Sequence, residues 1–222
     1  MDWTAAVDIY CERTGPEFWS EPINAVSNLA FIAAAILPFM AMRRAGQSDA
    51  LLTILCGIAF CIGVGSFLFH TVAERWAAVA DTVPILIFIV VFLFAAMNRL
   101  FGLRWYWAIV ATIVAFGVSL FARNIGLMIA GGTLNGSESY FPALALLGGS
   151  ALALAGLGHP AARMVALATG VFAVSLLART VDATLCAQIP AGTHFLWHLF
   201  NGTMIGLLLM TLLRFGQRPR PT

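Results

Sequence analysis

Lysine is absent from the chain, and all twelve basic residues are arginine. A last apolar segment without lysine argues against a light-driven pump that holds retinal as a Schiff base. The arginines are spread along the sequence, and the formal net charge is only +2. A nucleic-acid-binding protein gathers its basic residues into a patch or stripe, so the sequence predicts no nucleic-acid partner.

Charged residues of every kind are scarce. They make up 10% of the 222 residues, whereas roughly 25% is typical of a soluble domain. Hydrophobic residues make up 61%, and the mean hydropathy is +0.92. The start of the chain is acidic and has neither the basic region nor the apolar core of a secretory signal peptide. We therefore expect an integral membrane protein rather than a globular one.

Apolar runs of about 20 residues, the length that a helix needs to cross the hydrocarbon, predict an all-α bundle of seven transmembrane helices. The predicted spans are 24–42, 51–73, 77–98, 105–122, 140–157, 162–178 and 193–214. The end of the fourth span is ambiguous, because apolar residues continue from Ile125 to Ala130. Since no linker or low-complexity tract divides it, we expect residues 1–222 to form one domain. Without an inverted repeat or a broken helix pair, a transporter has little support.

The arginines also predict the orientation of the bundle. Eight of them fall on one side of a seven-span chain and four on the other, and the richer side is the cytoplasmic one. The eight are Arg43, Arg44, Arg99, Arg104, Arg163, Arg214, Arg218 and Arg220, and the four are Arg13, Arg75, Arg123 and Arg179. The N-terminal segment, residues 1–23, is then extracytoplasmic, and the tail, residues 215–222, is cytoplasmic. The short loops fit a protein of the bacterial cytoplasmic membrane, and an endoplasmic reticulum protein would look similar.

Ionisable residues meet at the outer ends of three predicted spans. His70 lies near the end of the second span, Asp81 near the start of the third, and His194 and His198 at the start of the seventh. Such groups are costly within a membrane, tend to face the bundle interior and mark functional sites. Their common depth predicts a site towards the extracytoplasmic side. The fourth histidine, His159, falls on the cytoplasmic side, and we expect it in a loop.

The spacing of the histidines favours a metal site. His194 and His198 are four residues apart, so both project from one helical face and can bind one ion, with His70 as a third ligand. Three protein ligands leave one position of a tetrahedral zinc open for water, which is typical of catalytic sites. Ser66 shares the helical face of His70, and Asp81 is suited to orient a histidine or to move protons.

Each of these residues, taken alone, also has an ordinary structural explanation. A single histidine in a membrane helix is commonly a hydrogen-bond partner of another helix, and serine is common at helix contacts. An aspartate at the start of a helix interacts favourably with the helix dipole. The metal interpretation therefore depends on all of them occurring together.

Five short motifs resemble those of the alkaline ceramidases. They are "YCER" before the first span, "EPINAVSN" leading into it, "SFLFH" followed by Asp81, "VDATLC" before the seventh span, and "HFLWH" within it. The alkaline ceramidases belong to a wider group of seven-span metal hydrolases that includes the adiponectin and progestin-type receptors. The resemblance implies an amidase that hydrolyses a ceramide-like N-acyl lipid, a membrane substrate, to a fatty acid and a sphingoid base.

The resemblance also implies the roles of the residues at the expected site. His70, His194 and His198 correspond to the zinc ligands of the family. Asp81 corresponds to its general base, and Ser66 to a hydroxyl beside the metal. An alternative is a seven-span lipid receptor or sensor that keeps zinc as a structural clamp. Asp81 and Ser66 favour the enzyme, because a structural clamp needs neither a proton carrier nor a hydroxyl facing the metal.

Two further features of the family fall in the N-terminal segment. Glu12 and Glu21, and less closely Asp8, correspond to residues of a calcium site. The chain departs from the family pattern there, because an expected asparagine is missing and the two glutamates are closer in sequence. Cys11 and Cys186 correspond to a disulfide pair, and disulfides persist outside the cytoplasm.

Overall fold

The computed structural model describes residues 2–130 and 134–216, apart from the side chains of residues 120, 122, 123 and 125–130. Throughout that part of the chain the regular structure is helical, except for one isolated β-bridge between Ala6 and Glu74. The helices are α1 (Pro22–Ser27), α2 (Leu29–Arg44), α3 (Ala50–Val72), α4 (Arg75–Arg99), α5 (Trp105–Ala130), a 3-10 helix (Ser137–Tyr140), α6 (Phe141–Gly156), α7 (Ala162–Leu185) and α8 (His194–Phe215).

Within the described residues, six helical segments are long and apolar enough to cross a membrane. They are α1 together with α2, α3, α4, the 3-10 helix together with α6, α7, and α8. The 26-residue α5 is a further long apolar helix between them. The prediction of an all-helical membrane bundle is therefore confirmed. Most of the predicted tail, with Arg218 and Arg220, lies outside the described residues, as does the side chain of Arg123.

Two helices are longer than the sequence predicts. The helix α5 continues through Ile125–Ala130 instead of ending near residue 122, and α7 reaches Leu185 instead of ending at residue 178. The prediction for α7 was wrong because Arg179 and Asp182 interrupt the apolar run. Both side chains are enclosed by protein, since Asp182 is fully buried and the Arg179 guanidinium packs against aromatic rings. Charge therefore does not end this helix.

The first span is interrupted at Asn28, where α1 ends and α2 begins. The carbonyl oxygen of Asn24 accepts hydrogen bonds from the Ser27 hydroxyl at 2.7 Å and from the Asn28 side-chain amide at 2.9 Å. The backbone N–H of Asn28 instead donates to Ala25, at 3.3 Å. Side-chain hydrogen bonds that compete with the helical pattern in this way disturb a helix locally. The predicted first span, 24–42, therefore lies within the apolar segment Pro22–Arg44 and has a local break at Asn28.

Small residues allow the helices that carry the site to approach closely. A Cβ atom on Gly202 of α8 would lie 2.7 Å from the backbone of Ala30 on α2. On α3, Gly65 packs directly against the backbone of Ala80 on α4. Close backbone contacts at small residues are a usual feature of helix packing in membranes. They bring the C-terminal end of α3, the first turns of α4 and the start of α8 together at one end of the bundle.

The N-terminal segment is attached to that same end. Its residues 3–7 follow the turn between α3 and α4, where the backbone N–H of Val7 donates to the carbonyl of Ala73 at 2.8 Å. A disulfide joins Cys11 to Cys186 just after α7, with 5.3 Å between their Cα atoms. This is the pairing that the resemblance implied. The segment therefore covers the end of the bundle where the helices converge.

Candidate active site

Three buried imidazoles cluster where α3 ends and α8 begins. His70 lies in the last turn of α3, and His194 and His198 lie in the first turns of α8. One ring nitrogen of each lies within 4.8 Å of the other two, and each residue is at most 2% exposed. Residues so far apart in sequence meet here because α2, α3 and α8 pack together. These three histidines could hold a metal ion.

The ring of His70 is oriented by Glu21. Its Nδ1 lies 2.6 Å from Glu21 Oε2, which also accepts a hydrogen bond from the Asn24 side chain. Burial acts to raise the pKa of Glu21, but the hydrogen bond from His70 and those from its other donors outweigh burial and hold this pKa below its usual value. The carboxylate therefore accepts the Nδ1 proton of His70, and the Nε2 lone pair is free. Carboxylates orient metal-binding histidines in this way.

The ring of His198 is oriented by Ser27, at the break between α1 and α2. The Ser27 hydroxyl lies 2.7 Å from His198 Nδ1 and 2.7 Å from the carbonyl oxygen of Asn24. A hydroxyl has one proton to donate. Since the Asn24 carbonyl can only accept, Ser27 donates to it and accepts the Nδ1 proton of His198. The Nε2 lone pair of His198 is then free, as it is in His70.

The geometry of these nitrogens suits a metal ion. The Nε2 atoms of His70 and His198 are 3.1 Å apart, and by the hydrogen bonds above neither carries a proton that would join them. Two nitrogens bound to one tetrahedral zinc at about 2.0–2.1 Å lie about 3.3–3.4 Å apart. Nδ1 of His194 is buried and has no protein partner within the described chain, which a buried polar atom rarely lacks. The donor set therefore fits a bound cation.

Comparison with known protein families gave a match. The family model of the ceramidases matches residues 3–220, nearly the whole chain. The chain belongs to the ceramidase family. Comparison with curated protein sequences gave no match. Membership of the family indicates a hydrolase that acts on an amide-linked lipid, and this agrees with the resemblance carried by the sequence motifs.

A hydroxyl and a carboxyl of this ceramidase-family chain lie beside the histidines. Ser66 on α3 interacts with Asp81 on α4, and the Asp81 carboxyl is near enough to His70 to interact with it electrostatically. Ser66 is 2% exposed, whereas Asp81 is partly exposed. The contact depends on Gly65, because a Cβ there would lie 3.2 Å from the backbone nitrogen of Asp81 and closer still to Ala80. The five residues predicted from sequence thus lie in one region.

Asp182 positions the start of α8 and was not foreseen as a site residue. Its carboxylate is fully buried and accepts from the backbone N–H groups of Thr193 at 2.6 Å and His194 at 2.9 Å. It also accepts from the backbone N–H of Cys11 at 3.3 Å. Gly192 has a positive φ of 63°, and a side chain there would collide with Asp182. The motif "VDATLC" contains this aspartate, but a capping role across two helices needs the tertiary structure.

Aromatic residues and an arginine surround His194. The ring of Tyr10 stacks on it with 3.6 Å between ring centroids and an angle of 18°. The Arg179 guanidinium donates to the Tyr10 hydroxyl at 2.9 Å and lies over the rings of Tyr140 and Trp197 at 5.7 and 5.2 Å. Sequence reasoning placed Arg179 just after the predicted sixth span and assigned Tyr10 no role. Only their distances in space reveal them as neighbours of the three histidines.

The carboxylates assigned to calcium by the resemblance are close together but already engaged. Glu12 accepts from the backbone N–H groups of Ile23 and Asn24, at 2.7 Å each, and so caps α1. Burial raises the pKa of Glu12 despite these hydrogen bonds. Both oxygens of Glu21 also have protein donors, and Asp8 is exposed. Calcium binding by these residues stays a prediction.

An apolar cavity opens beside the histidine cluster. It has a volume of about 990 Å³ including its mouth, and it lies between α4, α6, α7 and α8. Its walls include Phe88, Phe172, Trp197, Met204 and Ile205. Phe31 also lines it and packs against the ring of His198, with 6.1 Å between ring centroids. The lining is almost entirely apolar, which suits a hydrocarbon chain.

Proposed function

We propose that the protein is a zinc-dependent amidase within the membrane, which hydrolyses a ceramide-like N-acyl lipid to a fatty acid and a sphingoid base. The observation that carries this proposal is the histidine cluster beside the Ser66–Asp81 pair, in a chain of the ceramidase family. Three imidazole ligands with room for a fourth are typical of catalytic zinc. A bound zinc ion supplies a Lewis acid and lowers the pKa of water.

Asp81 acts as the proton carrier. Its carboxylate takes a proton from the attacking water and later gives that proton to the amide nitrogen, since an amine must be protonated to leave. The interaction with Ser66 and the close packing at Gly65 support this role, because they hold the carboxyl on the side of α4 that faces His70. A proton carrier must be held within hydrogen-bonding reach of the reacting atoms.

Ser66 stabilises the negative charge that develops on the amide oxygen. In the resting protein its hydroxyl interacts with Asp81. Once Asp81 has taken a proton, it no longer competes as strongly for the hydroxyl proton, and the Ser66 hydroxyl can turn to the substrate. Loss of one such donor typically costs about 2.7–4 kcal/mol, or about a hundredfold to a thousandfold in kcat. Ser66→Ala should therefore lower kcat by at least about a hundredfold while the metal is retained.

The cavity accommodates an acyl chain of the substrate. Its apolar walls run along α4, α6, α7 and α8, and Phe31 connects it to His198. Burial of each CH₂ group contributes about 0.8 kcal/mol, so a long chain in the cavity anchors the lipid. The amide bond then lies at the mouth, beside the three histidines. This arrangement supports a substrate with at least one long hydrocarbon chain.

We further propose that the site lies towards the extracytoplasmic side of a bacterial cytoplasmic membrane. The excess of arginine on the opposite side supports this orientation. The Cys11–Cys186 disulfide supports it independently, because disulfides persist outside the cytoplasm. A membrane-impermeant reagent that modifies an engineered Asp2→Cys on intact cells, but not Ser48→Cys, tests the orientation. The reverse pattern of labelling would contradict it.

The reaction is tested with purified protein and a panel of N-acyl lipids in detergent micelles. We expect about one equivalent of zinc by elemental analysis and release of a fatty acid, measured by mass spectrometry. Replacement of a ligand, as in His198→Ala, should remove zinc and activity together. A zinc-loaded protein that releases no fatty acid from any N-acyl lipid would refute the amidase proposal.

The variant Asp81→Asn distinguishes the amidase hypothesis from the alternative of a receptor with a structural zinc. The amide cannot accept a proton from water, so this variant should keep its zinc and lose at least about a hundredfold in turnover. Asp2→Asn is the matched control, because Asp2 is exposed at the start of the chain. Equal activity of Asp81→Asn and the unmodified protein would exclude Asp81 as the proton carrier.

A further inference from the structure

Arg13 lies next to Glu21 and His70, and each nitrogen of its guanidinium donates a hydrogen bond. Its Nε donates to Glu21 at 2.6 Å, its Nη1 to the carbonyl oxygen of Gly15 at 3.0 Å, and its Nη2 to the carbonyl oxygen of His70 at 3.1 Å. The side chain is only 4% exposed. Arg13 therefore contacts both the carboxylate that orients His70 and the backbone of His70 itself.

The carboxylate oxygens of Glu21 and Glu12 beside Arg13 all have protein donors without a metal ion. One oxygen of Glu21 accepts a hydrogen bond from the guanidinium, and the other accepts one from the His70 ring. Glu12, the neighbouring carboxylate, is bound at both oxygens by backbone N–H groups of α1. A calcium ion needs six to eight oxygen ligands at 2.3–2.6 Å. It would have to displace these donors and would then lie next to a guanidinium of the same sign, so the residues present do not fit calcium.

We propose that the Arg13 guanidinium is a built-in cation that takes the place of a calcium ion, so that the metal centre is assembled without calcium. Arg13 is a positioning residue that acts through Glu21 and His70. It holds Glu21 Oε1, which leaves Oε2 directed at Nδ1 of His70, and it holds the last turn of α3 through the His70 carbonyl. The proposal rests on the three histidines holding a metal, and not on which bond is hydrolysed.

The first test is addition of calcium to the unmodified, zinc-loaded protein. Calcium chloride at up to about 10 mM fills even the weak sites of extracellular modules. We expect no saturable binding in a calcium titration, and the same Tm in calcium as in a calcium-selective chelator. A saturable calcium site, or a Tm that rises by more than about 2 °C, would overturn the proposal. Neither result depends on amidase activity.

The second test removes the guanidinium with Arg13→Ala. Loss of the group that holds Glu21 should weaken zinc binding by about 10–100-fold, as is typical when the partner of a metal-binding histidine is disturbed. Calcium should restore part of that affinity in this variant alone, since a cation can then enter between Glu21 and the His70 carbonyl. Unchanged zinc affinity would overturn the positioning role, and an absence of rescue would overturn the equivalence of guanidinium and cation.

Arg75→Ala is the matched control, because Arg75 is at the same end of the bundle but is exposed. Its zinc affinity should be unchanged, with or without calcium. If Arg13→Ala does not fold, Arg13→Lys retains a positive charge but cannot form the same fork of hydrogen bonds. A lower zinc affinity in Arg13→Lys supports the proposal. A zinc affinity equal to that of the unmodified protein refutes the need for a guanidinium.

Discussion

A methyl group at Gly65 is a direct test of how the proposed catalytic pair, Ser66 and Asp81, is held. Gly65→Ala places a Cβ atom 2.7 Å from the carbonyl carbon of Ala80 and closer still to its oxygen. The obstacle is the backbone of α4, which cannot rotate away as a side chain can. Contacts between carbon atoms are normally about 3.5–4.0 Å, so α3 and α4 must separate by about 1 Å.

This displacement acts on turnover more than on metal binding. Asp81 is the next residue after Ala80, and it moves away from Ser66 with α4. A displacement of about 1 Å at a reacting group can cost about a hundredfold in rate, whereas overpacking a core costs about 1–3 kcal/mol. The proposed zinc ligands lie on α3 and α8, which the methyl group does not separate. We therefore expect Gly65→Ala to keep its zinc, lose about 2–12 °C in Tm, and lose about a hundredfold in kcat.

Gly57→Ala is the matched control, because Gly57 is on the same helix and has no atom within 4 Å of an added Cβ. It should be neutral or more stable, since alanine favours helices over glycine by about 0.5–1 kcal/mol. The assay combines elemental zinc analysis, Tm in detergent and fatty-acid release. Wild-type turnover and wild-type Tm in Gly65→Ala would refute the argument that this contact positions Asp81.

Three further predictions concern other parts of the molecule. Asp182→Ala should lower the free energy of unfolding by about 1–2 kcal/mol, because the start of α8 loses its cap. It should also weaken zinc binding at His194. Asp182→Asn should lie between Asp182→Ala and the unmodified protein, both in Tm and in the zinc content found by elemental analysis. Reduction of the Cys11–Cys186 disulfide should lower the free energy of unfolding by about 2–4 kcal/mol and release the N-terminal segment. The measurements are a lower Tm and faster proteolysis of that segment, and an unchanged Tm after reduction would contradict this prediction. Partial burial acts to raise the pKa of Asp49, but hydrogen bonds from Arg99 and a backbone N–H outweigh it and hold this pKa below its usual value. This carboxylate therefore contributes stability above its unfolded pKa, near about 3.9, and the contribution is lost as the pH falls through the lower folded pKa. Asp49→Asn should lower Tm by about 1–4 °C at pH 7, with no difference left in strong acid; a difference that persists there would contradict the argument.

The membrane class, the helical architecture and the candidate metal ligands follow from local sequence features. A run of about 20 apolar residues has one stable solution in lipid, because every backbone polar group must be satisfied within the helix. The pair of His194 and His198 is a local signal as well, since residues four apart on a helix share a face. Their meeting with His70 was predictable only through the common depth of three spans.

The hydrogen bonds that orient the ligands depend on tertiary structure. Ser27 reaches His198 because α1 ends at Asn28, and that break is produced by competing side-chain hydrogen bonds that hydropathy does not register. Hydropathy also predicted that α7 ends before Arg179, because a charged residue interrupts the apolar run. Its charge is accommodated by aromatic rings from other parts of the chain, so α7 continues past it.

The N-terminal segment shows most clearly which properties follow from the sequence and which depend on the tertiary structure. By itself the sequence determines that this segment is polar, acidic and followed by a membrane helix, because composition and hydropathy are properties of the residues alone. Whether Glu12 and Glu21 face water, calcium or protein is decided by what packs against them. The folded chain brings Arg13, α1 and His70 to these carboxylates. Hydrogen bonds act over about 3 Å, so only the tertiary structure determines which donors a buried carboxylate has.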